Sequence, residues 1–294
     1  MSVCLVASSR AAIAQDLEPR AYAASPTGVN FLAVVAGRST GGVLVDPSLP
    51  VEDVNSSISS LTVGFGRTFD LFNRMALLAA AAPIVWLEAT GRIGEDAARA
   101  TRTGFADPRI KLSVNLLGGQ ALSAREFAGA PRRTIVGTSI SVAAPVGQYD
   151  RSKLINLGAN RWAFKPEIGF SHLLGKWTVD GYAGVWFFTK NDAFYTGQSR
   201  RTQKPIVAIQ GHVSYTLKPR LWLAADATWY AGGRSTVNGV SKGDLQRNSR
   251  IGATLSLPLR GQQSLKIAGS TGATTRVGAD FTTIAAAWQI SWID

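Results

Sequence analysis

The chain has 294 residues and a formal net charge of +12, with 46% apolar residues but only 17% charged. A typical soluble domain is about 25% charged, so the surface is expected to be unusually uncharged, and 30 Gly with 12 Pro are too few for collagen or low-complexity disorder. The longest uncharged apolar run, Met75–Leu87, has 13 residues and contains Pro83; a membrane-spanning helix needs about 20, so only strands could cross a bilayer.

At the start of the chain, Val3–Ala7 is a short apolar stretch and Ala12-Ile13-Ala14 has the A-x-A form of a secretory cleavage site. Residues 1–14 are therefore expected to be a signal peptide, with an ordinary frayed terminus as the alternative. The missing basic n-region points to a start codon upstream. Cys4, the only cysteine, falls inside this segment, so the exported chain is expected to have no disulfide. Residues 15–27 are expected to form a periplasmic N-terminal segment ahead of a barrel over 28–294.

From residue 107 the chain alternates at period two, which sends successive side chains to opposite faces of a strand. Pro108, Ile110, Leu112, Val114 and Leu116 are apolar, while Asp107, Arg109, Lys111, Ser113 and Asn115 are polar. The same rule sets Trp162, Phe164, Ile168 and Phe170 against Arg161, Lys165, Glu167 and Ser171, and Val207, Ile209, Val213 and Tyr215 against Lys204, Gln210, His212, Ser214 and Thr216. It sets Ile251, Ala253, Leu255 and Leu257 against Arg250, Thr254 and Ser256. Strands are expected near 28–37, 57–69, 73–88, 105–118, 132–145, 160–173, 175–189, 203–217, 220–232, 247–259, 263–271 and 280–292, an even twelve.

Connection lengths alternate. Short turns fall at 70–72, 174, 218–219 and 261–262, and long loops at 38–56, 89–104, 146–159, 190–202, 233–246 and 272–279; only 119–131 is long on the short-turn side. This is the pattern of outer-membrane barrels, with short periplasmic turns and longer extracellular loops. The expected fold is all-β, a closed antiparallel transmembrane barrel in the bacterial outer membrane, because an open sheet edge cannot persist in lipid. A soluble sandwich is the alternative. An aromatic girdle at the two membrane interfaces is expected from Trp86, Trp162, Trp186 and Trp229 on the loop side and from Trp177, Trp222, Trp288 and Trp292 on the turn side.

The segments 104–118 (GFADPRIKLSVNLLG), 141–150 (SVAAPVGQYD), 156–192 and 226–233 (DATWYAGG), with 247–289, resemble the family of outer-membrane transporters named for the meta-cleavage pathway of phenol degradation. The resemblance covers nearly all of the expected mature chain. It implies a single-chain barrel that passes small, often aromatic or apolar molecules, and no catalytic residues. Val146 in PVGQY and the Ile293-Asp294 end depart from the family's pattern.

If the apolar faces meet lipid, the lumen is lined by Arg109, Lys111, Arg133, Arg161, Lys165, Glu167, Asp180, Lys204, His212, Asp226 and Arg250, with basic residues in the majority. A passive channel favouring anions, or aromatic solutes with an acidic group, is one reading; charges paired to fill a plugged structural or adhesive barrel is the other. His212 and Ser214 share a strand face in the manner of an outer-membrane phospholipase, but no third residue to orient the histidine stands out. His172 is expected at an interface near a short turn. Two His and one Cys offer no metal cluster and no cofactor is implied. Gly64-Phe65-Gly66 and 269–272 lack the strand-to-helix context of a phosphate loop and are expected to be strand bends or bulges. Basic residues are scattered with no run of five, so nucleic acid is not an expected partner. The expected partners are outer-membrane lipid and lipopolysaccharide, the barrel-assembly machinery and a small-molecule solute.

Overall fold

The computed structural model describes residues 17–44, 51–93, 96–195 and 199–293. Residues 1–14, with Cys4, lie outside that set. The strands are β1 (Val29–Leu44), β2 (Val51–Leu71), β3 (Arg74–Ile93), β4 (Asp96–Phe105), β5 (Arg109–Leu117), β6 (Ile135–Ala143), β7 (Ala163–Leu174), β8 (Trp177–Phe188), β9 (Asn191–Phe194), β10 (Ser199–Gln203), β11 (Ile206–Lys218), β12 (Leu221–Gly232), β13 (Ser235–Val237), β14 (Val240–Ser241), β15 (Gln246–Pro258), β16 (Gln263–Thr274) and β17 (Gly278–Ile293), with one helix, α1 (Ala124–Gly129). The lower part of β3 pairs with β5 and its upper part with β4. Counting β4 and β5 as one interrupted strand gives a closed antiparallel barrel of twelve. Closure runs through β1, which pairs with β2 on one side and β17 on the other.

The interruption sits at Asp107-Pro108. Proline has no N–H for the ladder, and the Asp107 carboxylate turns aside to accept from Gly147 N at 2.9 Å and Ala159 N at 2.8 Å. Those bonds tie the 144–162 loop to the wall. That loop also packs Ile155 and Leu157 against Leu87 and Ala89 of β3.

Several connections are more ordered than the alternation predicts. β1 and β2 extend through most of 38–56, and β3 and β4 through most of 89–104. Arg38-Ser39-Thr40, for example, puts polar side chains on both faces there. Beyond the membrane both faces of a hairpin can be wet, so the one-sided apolar signal vanishes while the ladder continues. The 190–202 and 233–246 connections hold β9, β10, β13 and β14, which form a separate four-stranded sheet at the loop end. The 119–131 connection holds α1, capped by a reciprocal Ser123 and Glu126 pair. Pairing register continues unshifted through Gly64 and Gly66; a shift occurs instead at Ser249/Arg250, opposite 272–274.

The molecule is inverted relative to a soluble protein. Ile110, Ile168, Ile209, Val213, Leu223, Ile251 and Ile284 are exposed, whereas Asn115, Ser139, Glu167, Asp180, His212, Ser214, Asp226, Asn248 and Arg250 are buried. Apolar out and polar in is the pattern of a lipid-embedded barrel.

Candidate functional site: the barrel lumen and its internal segment

Antiparallel register places inward side chains in rows around the wall. One row is Asp180, His212, Asp226 and Gly252 on β8, β11, β12 and β15; the next is Tyr182, Gln210, Thr228 and Arg250. On β5 and β7 the inward residues include Arg109, Lys111, Lys165 and Glu167, and Lys165 Nζ lies 2.6 Å from Glu167 Oε2. Arg161, just ahead of β7, is buried at the loop end with its guanidinium carbon 4.2 Å from the Phe188 ring centre.

Two expected lumen residues lie elsewhere. Arg133 is exposed on the long connection before β6 begins at Ile135, and Lys204 is exposed ahead of Pro205, where β11 has not yet started. Parity assigns a face only within a paired strand, and both residues fall outside one. The girdle also needs correction. Trp186 and Trp222 are 2% and 6% exposed and face inward. Trp86, Trp162, Trp177, Trp229 and Trp292 are exposed, and Trp288 is half-buried on the outer face, donating Nε1–H to Gln263 Oε1 at 3.0 Å. Lipid-borne bromine quenchers are expected to dim single-tryptophan variants that retain one of the exposed five, and to leave those retaining Trp186 or Trp222 bright.

Residues 15–27 are expected to lie in the periplasm ahead of the barrel, but those of them that the structure describes lie between the walls. Residues 17–28 enter from the turn end and cross the lumen. Gly28 N donates to Thr68 O and Thr27 N to Leu122 O, anchoring the segment at that end. Tyr22 is 1% exposed. Its hydroxyl lies 3.0 Å from Ser139 Oγ and donates to Glu167 Oε1 at 3.2 Å, and its ring packs 5.2 Å from that of Tyr182. The ring fits because Gly137 and Gly169, register partners on β6 and β7, have no Cβ where it lies. On the opposite wall, Arg20 N donates to Asp180 Oδ2 at 3.2 Å, Nε to Ser214 Oγ at 2.9 Å and Nη2 to Thr216 Oγ1 at 2.8 Å; its guanidinium carbon stacks 4.6 Å from the Trp222 ring centre. Ala21 N donates to Tyr182 Oη at 3.0 Å, and Glu18 pairs with Lys111 at 2.5 Å. The ammonium of Lys111 holds the Glu18 carboxyl well below its usual value of 4.5.

The histidine does have an orienting partner. His212 Nδ1 lies 2.7 Å from Asp226 Oδ1, and Thr254 Oγ1 donates to Asp226 Oδ2 at 2.8 Å. This carboxylate comes from the directly opposed residue on β12 and corrects the expectation that no third group is present. Ser214 Oγ, however, accepts from Arg20. His212 Nε2 has no hydrogen-bond partner, so the serine and histidine are not coupled as a nucleophile and base. His172 lies near the turn end with Nδ1 2.6 Å from Thr134 Oγ1. Among the described residues no cluster of metal-ligating side chains occurs.

A closed twelve-stranded barrel with an apolar exterior, a polar wall and a strap of its own chain across the lumen defines the class of β-barrel membrane proteins. The chain belongs to the family described as "Putative MetA-pathway of phenol degradation", which matches residues 36–288. Among solved structures it is similar to the COG4313 outer membrane channel from Pseudomonas putida F1, at 19% identity and a TM-score of 0.79, covering 94% of this chain and 100% of that one. It is also similar to the transport unit of the autotransporter AIDA-I from Escherichia coli (9%, TM-score 0.55, 97% and 94%) and to the β domain of the Bordetella autotransporter BrkA (10%, 0.52, 90% and 100%). These identities establish a shared fold. No curated protein matches.

Proposed function

We propose that the protein is an outer-membrane channel or facilitator for passive movement of small molecules, aromatic or anionic in character, without catalysis or energy coupling. The observation that carries this reading is the nature of the obstruction. A segment anchored at the turn end crosses the mid-lumen from wall to wall, and the wall beneath it keeps its own polar rows. Family membership and the channel named among the similar structures support the same reading. The inward charges of Arg109, Lys111, Arg161, Lys165 and Arg250 favour anions, as basic linings do in anion-selective pores.

A plugged structural or adhesive barrel is the second reading. It is favoured by the apolar cluster of Trp186, Ile206, Ala208 and Tyr230, joined by Phe188, on the inward faces of β8, β11 and β12 toward the loop end. Planar-bilayer recordings of the refolded protein across a KCl gradient separate the two. The channel reading expects discrete steps with a reversal potential on the anion side. A cation-side potential would remove the basic-lumen assignment, and silence both before and after release of the 17–28 segment would establish the structural barrel.

A further inference from the structure

At the loop end, two arginines from distant parts of the chain are buried close together. Arg161 is 5% exposed and Arg201, on β10, is 3% exposed. Each guanidinium lies over a phenyl ring: Arg161 over Phe188 at 4.2 Å and Arg201 over Phe194 at 4.9 Å. Gln203 is the link, accepting from Arg161 Nη2 through Oε1 and donating from Nε2 to Gly233 O at 2.7 Å. Burial, and then the like charge of Arg201, work against the Arg161 cation.

Acidic compensation is thin on the Arg161 side. Asp244 Oδ2 lies 3.5 Å from Arg201 Nη2, and the same carboxylate also accepts from Ser235 N and Oγ. Asp107 is taken up by Gly147 N and Ala159 N, and among the described residues no carboxylate is within ion-pair distance of Arg161, whose buried Nη1 has no hydrogen-bond partner. A buried cation without a paired anion is strongly unfavourable. An unfilled guanidinium donor beside a second guanidinium matches the two oxygens of a carboxylate, and the partly exposed Phe188 ring, with buried Phe194 behind Arg201, gives the site an apolar aromatic flank for the rest of such a molecule. Further into the lumen, Trp186 lies 6.0 Å from the Arg109 guanidinium carbon and 5.7 Å from Lys165 Nζ, so the pairing of ring and cation is repeated there.

We propose that Arg161 and Arg201, with Phe188 and Phe194, form a binding station for aromatic carboxylates at the loop-end mouth. The proposal rests on the channel reading for its purpose but not for its test. Binding of benzoate to the full chain, refolded in detergent, is measured by calorimetry and separately from conductance, with benzamide as the neutral isostere. Benzoate is expected to bind at least tenfold more tightly than benzamide. Arg161→Gln and Arg161→Lys are expected to weaken benzoate at least tenfold, the lysine variant because it loses the planar fork while keeping the charge, whereas exposed Arg133→Gln leaves binding unchanged. Heat-modifiable gel mobility verifies that each variant is a folded barrel. Equal binding of benzoate and benzamide to the unaltered protein, or no benzoate binding, overturns the proposal whether or not the variants fold. Benzoate binding by a silent barrel would sink the channel and leave the station, and anion conductance without benzoate binding would do the reverse.

Discussion

A full-length variant carrying Glu18→Ala, Arg20→Ala and Tyr22→Ala is expected to conduct where the unaltered protein is mostly closed, with open probability in planar bilayers rising by about a hundredfold or more. The argument is a balance. Each hydrogen bond from the segment to the wall contributes about 1 kcal/mol net, and burying the Tyr22 ring contributes about 2 kcal/mol, whereas ordering each residue costs about 1–2 kcal/mol. The two sides nearly offset, so the strap is held by a small margin. The three substitutions remove the bonds from Glu18, the Arg20 guanidinium and the Tyr22 hydroxyl, together with the ring. At these values the loss exceeds about 3 kcal/mol, and 3 kcal/mol alone shifts an equilibrium by about two decades. Unchanged recordings from a folded variant would show that the segment does not control the pore. Mild acid is not expected to imitate the variant. The Glu18 carboxyl is depressed in the folded state, so the contribution of its pair with Lys111 is present above the ordinary value of 4.5 and fades only well below it.

The barrel was legible because lipid on one side and water on the other impose a strict period-two alternation, and the strands that show it best, β5, β7, β11 and β15, have the predicted faces. Where one of those conditions lapses, the signal does too. The frequency of tryptophan at membrane interfaces puts Trp186 and Trp222 in the expected girdle, yet strand parity alone turns both inward: Trp186 shares its face with Asp180 and Tyr182, and Trp222 with Ala224 and Asp226. The helix α1 carries a legible signal in Ser123-Ala124-Arg125-Glu126, a capping box inside an expected loop.

The strap and the paired arginines had no comparable signature. Residues 17–26 show no periodicity, and the wall partners of Glu18, Arg20 and Tyr22 lie more than 90 residues away: Lys111, Asp180 and Ser214 among them. Such contacts are fixed only once the barrel has closed and set the spacing of the rows. Arg201 sits in a short strand polar along its length, so nothing local marked it as buried. Parity puts Asp226 on the polar face of its strand, but its role toward His212 depends on the β11 and β12 register, which a one-residue slip would abolish.

Gly169→Leu tests the strap by shape, with every charge left in place. A Cβ at this position would run into the Tyr22 ring and lie 2.6 Å from Tyr182 Cδ1, and its register partner Gly137 is similarly filled by Tyr22. The wall cannot give, because β7 is paired on both sides, whereas the segment bonds backbone to backbone with the rest of the chain only at its turn end and is held elsewhere through side chains. The leucine is therefore expected to eject Tyr22 and raise open probability to the level of the triple variant. Gly211→Leu provides the control, since nothing lies within 4 Å of a Cβ there and the position faces outward. Adding Tyr22→Ala to Gly169→Leu makes room for the side chain and is expected to leave conductance high, because the ring that held the strap is absent in both. If Gly169→Leu folds and stays closed, the obstruction lies in the Trp186 and Tyr230 cluster instead, and the gate would have to be sought at the loop end.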